Sequence, residues 1–288
     1  MIVIVLLTLE YLGRRSRKFH EKYSGASYTP TQTVSGVKNS LLFLICLIPL
    51  SLGFIIPVSI LLNFVIKGYS IINFIEIFQI TLSSISLAFI SSSFIMLLSL
   101  LMIIVGAYKS NNFQKILIFF ASSGYAFPGT ILAVGIVVFV GWLNDLIYFR
   151  MSYAVGGFII LLFAYSIRFL AVGNGAITSG ISRIHPNLLD ASRTMGVSFF
   201  KSIRKIILPL LYTNLLVGGI LVFVDILKEL PITLLLRPFN FETLATYVYQ
   251  YASDEMLEES AFAALIIVIA GLGPVIFLNR TITKSIKN

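Results

Sequence analysis

Residues 190–209 read DASRTMGVSFFKSIRKIILP, a polar and basic stretch that is divided by a glycine and ends in proline. Long apolar runs lie on both sides of it, near 154–173 and 210–227. Apolar runs of about 20 residues are candidate transmembrane helices. The stretch at 190–209 is therefore interpreted as a charged connection between two membrane spans.

The composition of the whole chain is typical of a membrane protein. Its 288 residues are 58% hydrophobic and 11% charged, whereas a soluble domain is about 45–50% apolar and about 25% charged. A helix of about 20 residues crosses the ~30 Å hydrocarbon core, and the fifth of the runs below can continue to about residue 236. These observations predict an all-α, six-span helical bundle. The runs lie near 41–66, 78–105, 116–143, 154–173, 210–227 and 261–279.

The amino-terminal residues 1–12, MIVIVLLTLEYL, are apolar but too few to span a bilayer alone. The basic residues GRRSRK follow them, whereas a signal peptide carries its positive charge before its apolar core. We interpret this piece as the inner end of a span that begins upstream, or as an interfacial helix, and expect a truncated or split chain.

The basic residues lie mainly on one side of the predicted bundle. When the connections alternate between the two sides, 17 of the 21 Lys and Arg residues, Arg168 among them, fall on one side and 4 on the other. Cytoplasmic loops are rich in Lys and Arg, so we expect both ends of the six-span core and residues 174–209 to be cytoplasmic. The net charge of +9 is then an orientation signal rather than a nucleic-acid surface.

Two spans are not uniformly apolar. The second contains TLSSISLAFISSSF at 81–94, and small hydroxylated residues let membrane helices approach closely and hydrogen-bond to each other. The third contains SSGYAFPG at 122–129, where Pro128 removes a backbone hydrogen bond and breaks the helix. This break is either a structural kink or part of the lining of a path.

Asp225 places a charge near the outer end of the fifth span, where charge is costly. Lys228 lies three residues further along the same helix face and can neutralise it. This neutral pair and a role in translocation both remain open. The candidate residues of a translocation path or gate are Tyr125, Pro128, Asp225 and Glu229.

Residues 183–209 have the pattern of a helix–glycine–helix elbow. Pro186 suits the first turn of a helix and Gly196 suits the left-handed position just past its end, which predicts a short helix over about 186–195. Ser198 is expected to cap a second helix, FFKSIRKIIL, that stops before Pro209. The elbow is either a docking knob for a cytoplasmic partner or an ordinary interfacial turn. One face of its first helix comprises Leu188, Leu189, Ser192 and Met195.

The spacing of these residues resembles the EAA loop of binding-protein-dependent ABC importer permeases. The family pattern is Glu-Ala-Ala, three residues, Gly, nine residues and Ile-x-Leu-Pro, and here Asp190 replaces Glu and Ser192 replaces the second Ala. The resemblance implies the type I importer permease fold and a coupling helix that fits a groove on an ATPase subunit. The implied coupling residues are Asp190, Ala191, Ser192, Arg193, Gly196, Ile206, Leu208 and Pro209.

Three further stretches resemble the ferric iron importer permeases. They are GYAFPGTILAVG at 124–135, RFLAVGNGAI at 168–177 and DILKELPITLLLRPFNFETLATYVYQYASDEMLEESA at 225–261. Those permeases usually carry two halves, each with an EAA loop, and this chain is similar to the second half. The resemblance implies a partial span and basic linker at 1–35, a permease domain at 36–280 and a cytoplasmic tail at 281–288.

The resemblance to an importer permease also implies partners that supply the functions this chain lacks. No G-x-x-x-x-G-K-[ST] loop occurs, so no cofactor is expected on this chain, and ATP and Mg²⁺ belong to a partner. The expected partners are an ABC ATPase dimer, a second permease half or another copy, a periplasmic iron-binding protein and the lipid bilayer, but no nucleic acid. Expected docking residues for the binding protein, within 237–259, are Arg237, Glu242, Asp254 and Glu255.

Fe(III) prefers oxygen ligands, and the acidic outer segment also carries Tyr247, Tyr249 and Tyr251. These tyrosines are either iron ligands or part of an aromatic belt at the membrane interface. We therefore assign no metal site.

The alternatives begin with other substrates of the same importer class: thiamine, phosphonate, polyamine or another oxyanion. A secondary transporter would show inverted repeats and intramembrane ionisable clusters. A membrane enzyme would need clustered His, Cys or carboxylate groups, whereas His20 and His185 lie apart in basic segments and Cys46 is the one cysteine. No catalytic residue is expected.

Overall fold

The computed structural model describes residues 36–69, 72–108, 112–147, 153–184, 188, 191–192 and 194–287. Every regular element in these residues is helical, as the all-α prediction requires. The α-helices are α1 Val37–Leu50, α2 Ile56–Lys67, α3 Phe74–Tyr108, α4 Asn112–Ser122, α5 Gly129–Ile147, α6 Tyr153–Ile181, α7 Phe199–Ser202, α8 Leu208–Leu227, α9 Pro231–Leu236, α10 Leu244–Ser253 and α11 Leu257–Lys287.

The described spans agree with the predicted ones. Within the described ranges, five helices are long and apolar enough to cross a membrane, and a bent pair makes a sixth if it is one span. The pair is Ile116–Ala126 and Gly129–Leu143, bent by 116°, so the predicted break beside Pro128 is confirmed. The five helices are Lys38–Lys67, Phe74–Gly106, Gly157–Ile181, Phe199–Leu227 and Leu257–Phe277.

Two turns of π-helix allow helices to continue past proline. Ser51–Ile55 joins α1 to α2, and Ile203–Ile207 joins α7 to α8. Pro209 lies in the first turn after the second of these, where the altered hydrogen-bonding pattern of a π turn accommodates a residue without an N–H. The predicted helix end before Pro209 is therefore wrong, because one helix runs through Phe199–Leu227. The predicted extension to 236 is also wrong, since α8 ends at Leu227 and α9 begins separately.

Backbone contacts divide the chain into two units, Met1–Ile60 and Leu61–Asn288. The described part of the first unit is α1, the π turn and the beginning of α2, and its described side chains are exposed or half-buried. The second unit has its main core where α3, α6 and α8 pack together. Its fully buried side chains include Ile95, Leu161, Tyr165, Leu211 and Val222.

The serine-rich span α3 packs closely, as predicted. A Cβ atom on Gly173 of α6 would collide with the hydroxyl of Ser99, so these helices approach at small residues. The Ser84 hydroxyl accepts a 2.7 Å hydrogen bond from the N–H of Leu244. That bond satisfies a backbone donor at the first turn of α10 and fixes α10 on α3.

Candidate functional site

The elbow at 183–209 has the predicted glycine end. Leu188, Ala191, Ser192 and Thr194 are helical, and Gly196 follows with φ of 71°. The N–H of Val197 donates to the Ser192 carbonyl at 3.1 Å, which is the long bond of a Schellman motif. The predicted left-handed glycine is therefore confirmed.

A buried hydroxyl pair joins the two arms of the elbow. The Ser192 and Ser202 hydroxyl oxygens lie 3.0 Å apart, and both side chains are buried. The predicted side-chain cap is wrong: Ser198 occupies the N-cap position of α7 without a capping hydrogen bond from its side chain. Its backbone carbonyl instead accepts from the Ser202 N–H at 3.0 Å.

The elbow exposes several large apolar side chains beside its basic ones. Met195 is 73% exposed and Phe200 is 81% exposed, while Leu188 is also exposed. The predicted helix face is therefore not uniform, because Ser192 turns inward while Leu188 and Met195 do not. Further predicted residues, Pro186, Leu189, Asp190 and Arg193, lie outside the described residues.

The elbow is mounted on two packed spans. Ile206 lies in the π turn, and Leu208 and Pro209 begin α8, so these three predicted coupling residues lie where the elbow joins the span. A Cβ on Gly180 of α6 would lie 2.6 Å from Leu211 of α8, which shows how tightly the two spans meet beside the elbow. This contact agrees with the predicted rigid mounting.

The broken span contains the predicted residues Tyr125 and Pro128. Gly124–Ala126 form a turn of 3-10 helix, and Phe127 is extended before α5 starts at Gly129. A Cβ on Gly124 would collide with the Ile167 carbonyl, so the break rests on α6. Tyr125 is exposed and contacts Phe169 edge-on. An apolar cavity of about 700 Å³ lies at this bend, lined by Phe94, Phe120, Phe127, Leu162, Leu170 and others.

The structure pairs Glu229 with Arg168. The charge distribution predicts Arg168 on the cytoplasmic side of the membrane. Arg168 instead lies near the middle of α6, since that helix runs on to Ile181. Its Nε atom lies 3.3 Å from Glu229 Oε2. A single arginine inside the apolar run YSIRFLAV was the available signal, because an intramembrane charge requires a partner. The Lys/Arg asymmetry holds without Arg168, and the orientation stays a prediction.

Asp225 forms the predicted ion pair with Lys228, at 2.9 Å on one helix face. Gly129, the residue after Pro128, lies close to Glu229, since a Cβ on it would lie 3.0 Å from Glu229 Oε1. Asp225 instead pairs with Lys228, the residue just past the end of α8.

The residues predicted to dock a binding protein lie in two places. Arg237 pairs with Glu242 at 3.0 Å and donates to the Phe241 carbonyl at 3.3 Å. This pair borders a polar cavity of about 620 Å³ that Glu76, Gln79 and Ser83 of α3 also line. Phe239 projects from the same loop with 95% of its surface exposed. Asp254 and Glu255 lie in the exposed turn between α10 and α11.

Of the three tyrosines considered as iron ligands, Tyr247 is poorly placed for that role. Tyr247 is buried and stacks on Tyr251 with ring centroids 4.5 Å apart. Burial, and secondarily the contact with Tyr251, raises the pKa of the Tyr247 phenol, so loss of its proton to a metal ion is less favourable. In the described part of the chain, no three His, Cys, Asp or Glu side chains are grouped to hold a metal ion.

Comparison with known proteins gives a family match over more than half of the chain. The sequence profile described as "Binding-protein-dependent transport system inner membrane component" matches residues 103–288. The Fe(3+)-transport system permease protein FbpB 2 of Haemophilus influenzae is 25% identical over 157 residues. That alignment covers 54% of this chain and 29% of the relative, so the chain matches less than a third of that protein's length.

Two solved structures share the fold. A bacterial ABC transporter involved in import of the acidic polysaccharide alginate has a TM-score of 0.62 and 16% identity, covering 85% of this chain and 95% of that chain. The MetNI methionine ABC transporter, in inward-facing conformations, has a TM-score of 0.53 and 15% identity, covering 72% and 95%. The predicted importer permease fold is therefore confirmed.

Proposed function

The chain belongs to the family of binding-protein-dependent transport system inner membrane components, and on that premise we propose that it is the permease subunit of an ATP-driven importer of ferric iron. The observation that carries the proposal is the elbow, a short helix that ends at Gly196, exposes apolar side chains and is fixed to a membrane span. The family is one of transporters and not of enzymes, and its members are multi-pass inner-membrane proteins.

A separate ATPase subunit supplies the energy in this proposal. The chain has no phosphate-binding loop of the G-x-x-x-x-G-K-[ST] kind, so ATP and Mg²⁺ bind to the partner. Exposed Met195 and Phe200 supply an apolar patch suited to a groove on that partner. The proposed coupling residues are those of the EAA-like loop: Asp190, Ala191, Ser192, Arg193, Gly196, Ile206, Leu208 and Pro209.

Coupling then works as a rigid-body movement. Two ATPase subunits close on ATP, and each closure displaces an elbow. The Ser192–Ser202 contact and the helix through Phe199–Leu227 carry the displacement into the bundle. A second permease half, or another copy of this chain, completes the path, and the elbow faces the cytoplasm as the Lys/Arg asymmetry predicts.

Iron is the proposed substrate because the relative FbpB 2 is named an Fe(3+)-transport permease. The alternatives within the importer class are thiamine, phosphonate, polyamine or another oxyanion, and a secondary transporter is the alternative from another class. Direct ligation by Tyr247 is not part of the proposal, since its phenol is buried. A periplasmic binding protein delivers the metal instead, docking on the Arg237–Glu242 loop and the Asp254–Glu255 turn.

The test is reconstitution of the chain with its native neighbours. The expected result is co-purification of an ATPase whose rate rises with iron-loaded binding protein, and ATP-dependent iron uptake into liposomes. Asp190→Lys should abolish uptake while the protein stays inserted in the membrane. Uptake that is independent of ATP, or uptake of thiamine or phosphonate and not iron, would redirect the assignment.

A further inference from the structure

Two interruptions in the membrane helices meet at one ion pair. The first is the break at Gly124–Pro128 before α5, and the second is the gap between α8 and α9. Glu229 lies in that gap, is 7% exposed in its side chain, and pairs with Arg168 at 3.3 Å. Arg168 Nη1 also points to the Phe127 carbonyl at 3.5 Å. One guanidinium therefore contacts both interruptions.

The backbone of Gly129 packs tightly against this ion pair. A Cβ atom on Gly129 would lie 2.5 Å from Arg168 Nη1 and 3.0 Å from Glu229 Oε1. The same carboxylate oxygen accepts a 3.3 Å hydrogen bond from the Ile232 N–H. The start of α5, the middle of α6 and the first turn of α9 are thus all held at the Arg168–Glu229 pair.

A second polar contact lies one turn away on α6. The hydroxyls of Tyr165 and Thr233 are 2.5 Å apart and buried, and Thr233 also donates to the Glu229 carbonyl at 2.6 Å. Tyr165 and Arg168 are three residues apart and so project from the same face of α6. The α8–α9 corner is consequently attached to α6 at two points.

The pair lies at the far end of the helix that begins at the elbow. The continuous helix Phe199–Leu227 ends two residues before Glu229, so a displacement of the elbow along that helix reaches Glu229. We propose that Arg168 and Glu229 are a positioning pair, which holds the break at 124–128 in register with α8 and transmits movement of the elbow to the broken span. The transmission rests on the proposed function, whereas the positioning does not.

The experiment separates positioning from simple stability by removing one charge or both. Arg168→Met leaves a buried carboxylate without its cation, and Glu229→Gln leaves the arginine without its anion, so each should lower the melting temperature. The double variant removes both charges of the pair and should recover most of that loss. Arg168→Lys keeps the charge pair but lacks the fork that also reaches Phe127.

The first readout is hydrogen exchange of the purified chain, which needs no partner. We expect at least tenfold faster exchange at residues 124–132 in the double variant, with α10 unchanged. The second readout is iron taken up per ATP hydrolysed, which we expect to fall at least tenfold in the double variant and severalfold in Arg168→Lys. The matched control is Asn214→Ala, which removes a 3.2 Å hydrogen bond from α8 to the Ala176 carbonyl of α6 and should leave the ratio unchanged.

The outcomes are distinguishable. Unchanged exchange at 124–132 in both the double variant and Arg168→Lys overturns the positioning role. Wild-type uptake per ATP in a double variant with recovered stability overturns the transmission. A wild-type chain that shows no ATP-driven uptake counts against the proposed function, while the exchange result still decides the positioning role.

Discussion

The hydroxyl groups of Ser192 and Ser202 face each other across the elbow at 3.0 Å, and both side chains are only 1% exposed. They come from different helices, one on each side of Gly196. Ser192 stands where the EAA pattern has alanine, so this sequence adds a hydrogen bond at a position that needs only a small side chain.

That contact gives the first prediction. Ser192→Ala should lower the free energy of unfolding by about 0.5–1.5 kcal/mol, because Ser202 keeps its own carbonyl partner. Denaturant unfolding in detergent measures the change. Ser192→Leu should cost more, since the site is buried, and a leucine variant as stable as wild type would contradict the packing described here.

The second prediction concerns Gly196, the glycine at the end of the elbow helix. Gly196→Leu forces a side chain into a left-handed backbone and should cost about 1–2 kcal/mol. Iron uptake should fall while the protein remains in the membrane. Gly175→Ala is the matched control, since a Cβ there meets nothing within 4 Å, and it should be neutral or slightly stabilising.

The third prediction concerns the exposed apolar surface of the elbow. Met195→Glu should weaken association with the proposed ATPase subunit at least tenfold, because it puts a charge where an apolar contact is proposed, and should leave the melting temperature unchanged. A pull-down from detergent measures this. Met256→Glu changes the same residue type in an exposed site elsewhere, and equal loss in both variants would argue against a specific docking surface.

The fourth concerns the broken span. Gly124→Ala places a methyl group against the Ile167 carbonyl, so the break must shift away from α6. Such overpacking costs about 1–3 kcal/mol, measurable as a lower melting temperature. Gly135→Ala on α5 meets nothing within 4 Å and serves as the control. If both substitutions are tolerated equally, the break does not rest on α6.

The fifth concerns iron ligation. Tyr247→Phe should leave iron uptake within about twofold of wild type between pH 6 and 8, because burial raises the pKa of the Tyr247 phenol above its usual value near 10. Fe(III) must displace the phenolic proton to bind, and the burial and raised pKa of Tyr247 make that displacement less favourable. Uptake measured with radioactive iron decides the matter, and a loss of tenfold or more would place Tyr247 in the path.

Local patterns predicted much of the fold. Runs of about 20 apolar residues located the spans, and Pro128 located the break, because both signals act over a few neighbouring residues. Gly196 was equally readable, since its left-handed backbone follows from its place after a short helix. Asp225 and Lys228 were paired correctly because they lie three residues apart on one helix.

Contacts between distant segments were not predictable in the same way. Arg168 and Glu229 are 61 residues apart in the sequence, and no periodicity connects them. Charged residues usually lie in the connections between spans, which is why Arg168 is predicted on the cytoplasmic side. The ion pair with Glu229 instead allows Arg168 to lie inside a membrane helix. Proline also predicts a helix end before Pro209. The helix continues instead, because a π turn accommodates the proline and such a turn has no recognisable sequence signature.

The π turn at Ile203–Ile207 also sets the direction in which the elbow points. Each residue of an α-helix turns the chain by about 100°, and a π turn holds one residue more than an α turn between the same hydrogen-bonded levels. Losing one residue from this segment would convert it to regular helix and rotate Phe200 by about 100° about the axis of α8. The number of residues in this one turn therefore fixes the direction in which the elbow points about the axis of α8, independently of any side-chain contact.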